Sequence, residues 1–154
     1  MPSKDGKTRT MWKKLLDKLT KQATFADPAD PQAIHHAQTA LELAIPTDLI
    51  ELLTESNGVK GDYRLDLIWP IERIEADNLA FRRNPEFAQL YMPFDHLLFF
   101  ADSGDGSQFA FPIQQNEIRK PDIFLWNHET DSRTWVAPNL QKYLEWSIKR
   151  KLPT

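Results

Sequence analysis

The chain has 154 residues, a length that fits one domain with a core of its own. Five Trp and nine Phe argue against disorder, and the absence of cysteine excludes disulfides and thiolate-held metals. The net charge of −3 conceals a division: residues 1–21 carry +5, residues 22–117 carry −11 and residues 118–154 carry +3. An acidic middle repels nucleic acid and suits a basic protein partner, although an ordinary solvated acidic face has the same composition.

Residues 1–10 are basic but lead into no apolar segment, so no signal peptide is expected. The longest apolar run, residues 97–101, is far short of the roughly 20 residues of a membrane span. A cytoplasmic location is the default expectation. Trp12, Leu15, Leu16 and Leu19 share one face of a helix expected to start near Thr8 or Thr10, with Lys13, Lys14, Lys18 and Lys21 mostly elsewhere. Basic amphipathic helices can bind membranes or nucleic acid, but this short stripe reads as a face docked on the core.

A loop over residues 25–31 follows. Asp30 as N-cap and Pro31 at the first helical position predict a second helix, with Ile34, Ala37, Leu41 and Ala44 on one face. His35 and His36 are adjacent, so they point apart and cannot chelate one ion; they read as surface residues. Ile45-Pro46 starts a third helix, with Leu49, Ile50, Leu52 and Leu53 inward, Asp48 and Glu51 near its positive end, and Asn57-Gly58 expected to close it.

Tyr63, Leu65, Leu67 and Trp69 alternate, which predicts a strand over residues 61–70 stopped by Pro70. Ile71, Ile74, Leu79 and Ala80 predict a short helix carrying Glu72, Glu75 and Asp77 outward. Residues 84–95, bracketed by Pro85 and Pro93, leave helical turns around Phe87, Leu90 and Tyr91 open. Residues 97–101 predict a central strand, and Asp105-Gly106 a tight hairpin returning through Phe109, Phe111 and Ile113. Residues 123–126 and 133–136 form a second strand pair. A closing helix over about residues 139–151 turns Leu140, Tyr143, Leu144 and Ile148 inward and ends on Lys149, Arg150 and Lys151. Helices, then a meander, then a helix give a single α+β domain with an antiparallel or mixed sheet.

No motif carries chemistry. Counted as a calcium loop from Asp102, the third, fifth and twelfth positions are Gly104, Gly106 and Ile113, none of them a ligand. No Gly-Lys-Ser/Thr makes a phosphate loop, and His128-Glu129 lacks the second His of a helical zinc motif. Ser103 and Ser107 sit in no nucleophile elbow, and His96, His128 and Asp102 have no supporting spacing. The reading is non-enzymatic, with no catalytic residue, metal or cofactor assigned.

Four segments in register resemble the SUKH (Smi/Knr-like) superfamily. Residues 45–58 (IPTDLIELLTESNG) look like its Pro-led helix closed by Asn-Gly, with Ile where Leu is usual. Residues 67–75 (LIWPIERIE) are similar to its strand leading into a helix. Residues 98–109 (LFFADSGDGSQF) resemble its apolar strand and Asp/Gly hairpin, and residues 123–129 (IFLWNHE) a later strand. The resemblance covers roughly residues 30–150; residues 1–29 match loosely. It implies an α+β fold, no shared catalytic residues and, in bacteria, service as an immunity protein that blocks a cognate toxin.

A basic nuclease domain is one such toxin, because an acidic surface can occupy a groove shaped for phosphates. The candidate partner-binding residues are Asp62, Asp66, Glu72, Glu75, Asp77, Asp102 and Asp105, with Tyr63 and Trp69 as aromatic anchors. Direct binding of nucleic acid or membrane is not expected. The alternative is a regulatory scaffold binding another cellular protein.

Overall fold

The computed structural model describes residues 2–153, with side chains from Met11 onward. Helix α1 (Pro2–Leu19) begins before the expected Thr8 or Thr10: proline is tolerated at a first helical position, and no later proline interrupts the segment. The side chains of Lys4, Lys7 and Arg9 lie outside the described residues. Trp12 and Leu16 are buried, so the apolar stripe docks on the core.

Strand β1 (Thr24–Phe25) pairs antiparallel with β2 (Val59–Lys60); two-residue strands carry no period, so the sequence did not reveal them. Helix α2 (Pro31–Leu41) starts as expected, with Asp30 Oδ1 accepting the Gln32 N–H at 2.9 Å. It ends a turn before Ala44, because Glu42 turns left-handed (φ 52) and closes on the Gln38 and Thr39 carbonyls. Ala44 is exposed, and Leu43 enters the core in its place.

Helix α3 (Thr47–Glu55) buries Leu49, Leu52 and Leu53 and passes into extended Ser56, so Asn57-Gly58 is not its cap. Asn57 Oδ1 instead accepts the Ile71 N–H at 2.8 Å. Gly58, at φ +91, runs so close to the next segment that a Cβ would lie 2.9 Å from the Pro70 nitrogen. The Asn-Gly pair thus ties the end of α3 to the start of α4 (Ile71–Arg83). At the other end of this tie, the buried Glu55 carboxylate accepts the backbone N–H groups of Trp12 and Lys13, both at 3.0 Å, and anchors α1.

The strand expected over residues 61–70 is mostly turn. Residues Asp62–Arg64 form one 3-10 turn, and β3 is confined to Asp66–Ile68, completing a three-stranded antiparallel sheet β1-β2-β3. Tyr63 and Arg64 are both left-handed (φ 58 and 62), a conformation no side-chain pattern announces. In α4, Ile71, Ile74 and Asn78 are buried while Ala80 is exposed, since the inward stripe runs through the polar Asn78. The open stretch holds a short α5 (Pro85–Leu90), capped by Asn84.

Strands β4 (Leu97–Asp102), β5 (Gln108–Pro112), β6 (Ile123–Trp126) and β7 (Arg133–Ala137) form a second antiparallel sheet in the order β4-β5-β6-β7. β4 is therefore at the edge, not the centre. Its unbroken apolar run arises because both faces are covered. On one, Phe99 meets Phe81, Phe94 and Trp126 with ring centroids 5.3–5.6 Å apart. On the other, Phe100 stacks on Phe111 at 4.6 Å and meets Tyr143 at 5.4 Å. The edge itself is occupied. Asn78 donates to the Phe99 carbonyl (2.9 Å) and accepts its N–H (2.8 Å), and the Trp69 N–H donates to the Phe100 carbonyl at 2.8 Å. Helix α6 (Leu140–Ile148) closes the chain behind an Asn139 cap and ends before residue 151.

Candidate functional site

Six of the nine candidates, Asp62, Tyr63, Asp66, Asp77, Asp102 and Asp105, gather where the Asp62–Arg64 turn, the first turns of α4 and the β4–β5 loop meet. That loop spans residues 103–107, longer than a two-residue hairpin, with Gly104 and Gly106 at positive φ. Asp105 organises it: its Oδ1 accepts the Ser103 hydroxyl and, at 3.0 Å, the Ser107 N–H. The Ser103 hydroxyl and then the Ser107 N–H hold the Asp105 carboxyl below its ordinary value.

Arg73 organises the neighbouring carboxylates and was not singled out in the sequence. It grips Asp102 with two hydrogen bonds (2.7 and 3.0 Å), Asp66 with one (2.9 Å) and Asp77, one helical turn on, with one (2.9 Å). Asp66 also accepts Lys60 Nζ at 2.6 Å. Burial alone would lower the Arg73 pKa, but Asp102 and Asp77 outweigh it and raise it. Three of the seven candidate carboxylates are thus engaged from within, by two cations against three negative charges. The only hint in the sequence was the i, i+4 spacing of Arg73 and Asp77.

Glu72 and Glu75 belong to other contacts. Glu72 accepts Asn57 Nδ2 at 2.8 Å, and Glu75 pairs with His36 Nδ1 at 2.8 Å, beside α2. Trp69 cannot serve as a surface anchor: it is 0% exposed, its ring lying under the Arg73 guanidinium 4.0 Å away. A side chain immediately before a helix-starting proline alternates like a surface strand residue, yet here it plugs the core.

Tyr63 is the opposite case, 95% exposed on its left-handed backbone. It borders a cleft of about 440 Å³ together with Asp62, Asp102, Asp105 and Arg150. Leu65, Leu67, Phe109, Leu125, Ile148 and Leu152 supply the apolar lining. A second hollow of about 400 Å³ shares Leu65 and Asp102 with the cleft and adds Arg64, Asp66, Arg73 and Gln108. Among the described residues no side chain bonds the Asp62 carboxylate. Sequence reasoning missed the contributions of Gln108 and of the segment after α6, which arrive by tertiary packing alone.

Ser107 Oγ lies 3.1 Å from His128 Nδ1 and receives the His128 N–H at 3.3 Å. The serine is buried and lines neither hollow, and the pair joins the β4–β5 loop to the loop after β6. Among the described residues no group of three or more His, Asp or Glu could hold a metal ion, and no helix is long and apolar enough to cross a membrane. Compared with known proteins, residues 31–144 match a family model, SUKH_6, described as SMI1-KNR4 cell-wall. No curated protein matches the chain.

Proposed function

Because the chain belongs to the SMI1-KNR4 (SUKH) family, we propose that it is a non-enzymatic immunity protein. It binds a cognate toxin through the face built by the Asp62–Arg64 turn and the 103–107 loop. The observation that carries this reading is Tyr63. A large aromatic 95% exposed on two successive left-handed, non-glycine residues is costly to the isolated fold and useful to an interface. Asp62 and Asp105 flank it, whereas Asp66, Asp77 and Asp102 are engaged by Arg73 and serve as its support.

A toxin with a basic groove, such as a nuclease domain, complements these carboxylates, and association then falls steeply with salt. The test is the affinity for the protein encoded beside this chain, measured with wild type and Tyr63→Ala. A loss of about thirtyfold or more with unchanged stability is expected, the range of an interface hot spot. Unchanged affinity for the variant would remove Tyr63 from the interface.

A further inference from the structure

We infer that the cleft beside Tyr63 receives a single long cationic side chain, Arg or Lys, presented by a basic protein partner. The inference rests on the binding reading above and names what that face recognises.

Three observations converge. The cleft combines an apolar lining with carboxylates, and a long cationic side chain needs both: its methylene stem lies along apolar surface while its head stays near water and charge. Charge is lopsided. Asp62, Asp102 and Asp105 face one cation, Arg150, and Asp102 already bonds Arg73, so Asp62 and Asp105 hold the unmatched charge. Tyr63 offers an uncovered ring face beside them, the surface on which a cation docks.

An acidic or phosphorylated occupant would meet Asp62 and Asp105 with like charge.

The test uses the whole chain, labelled with nitrogen-15, and two probes of similar stem length: N-acetyl-arginine methylamide and N-acetyl-norleucine methylamide. The arginine probe is expected to give saturable amide shifts at millimolar concentration, confined to residues 61–65, 103–108 and 147–150. The norleucine probe is expected to give none that saturate. Asp62→Asn with Asp105→Asn should weaken the arginine probe at least about fivefold while the rest of the spectrum stays folded. No saturable shift, equal shifts from norleucine, or undiminished binding by the double variant overturns the inference. If the neighbouring protein binds but the arginine probe does not, the cleft inference falls alone. If the probe binds and no partner does, the immunity reading falls alone.

Discussion

The Arg73 guanidinium lies against Asp102 in a two-bond fork, Nη1 to Oδ2 at 2.7 Å and Nη2 to Oδ1 at 3.0 Å, joining α4 to the end of β4. Planar pairing of this kind is stronger and more directional than a single contact. Removing the arginine leaves Asp66, Asp77 and Asp102 close together without their common cation. Arg73→Ala is expected to cost about 2 kcal/mol, less than for a fully buried pair because all four side chains keep some water. Urea unfolding of Arg73→Ala, Asp102→Ala and the double variant tests this. A double variant that loses as much as the two single losses added would show that the pair is not coupled.

Asn78 makes a stronger prediction. Its amide satisfies both backbone groups of Phe99 inside the core and also donates to the Ile74 carbonyl at 2.7 Å. Asn78→Ala orphans a buried N–H and a buried C=O at once, at about 1–3 kcal/mol each. The urea midpoint should fall accordingly, and amide exchange at Phe99 should accelerate. A loss under about half a kcal/mol, the size of an ordinary surface change, would show that β4 finds other partners.

Two carboxylates should give opposite pH slopes. Burial would raise the Asp131 carboxyl, but the Met92 N–H, the Trp126 indole and Arg133 outweigh it and hold it below 3.8. Its contribution is full above that value and is lost as pH falls through the lowered pKa. For Glu55, burial outweighs the Trp12 and Lys13 N–H groups, and its carboxyl is raised above 4.5. The folded state then holds that proton more tightly, so the Glu55 contribution declines as pH rises from 4.5 through the raised pKa. Chemical unfolding of Asp131→Asn and Glu55→Gln across acidic pH checks both signs. Parallel profiles for the wild type and either variant would contradict that assignment.

Tyr63→Gly separates strain from fold. A left-handed non-glycine residue costs about 1–2 kcal/mol, whereas glycine adds about 0.5–1 kcal/mol of chain entropy. The exposed ring contributes no burial. The variant should be as stable as wild type or slightly more so, judged by its thermal midpoint. A clear loss would mean that the ring supports the fold.

Fold class and most helices were legible because caps and period stand in the local sequence: Asp30-Pro31, Pro46 and Asn139 each begin a helix. The 61–70 segment was misread because alternation from Tyr63 to Trp69 has the period of a strand, while left-handed Tyr63 and Arg64 have no compositional mark. The acidic candidates were found by charge, but charge alone could not foresee that Arg73 gathers three of them. Nor could it place the residues after α6 beside Tyr63, since contacts so distant in sequence leave no spacing to read.

The most direct measurement is the equilibrium affinity of this chain for the protein encoded next to it, taken at low and high salt with wild type and with Asp62→Arg/Asp105→Arg. The account predicts a tight wild-type complex that weakens as salt rises and is lost by at least about a hundredfold in the charge-reversed, still folded variant. A complex indifferent to both salt and charge reversal, or no complex at all, would contradict it.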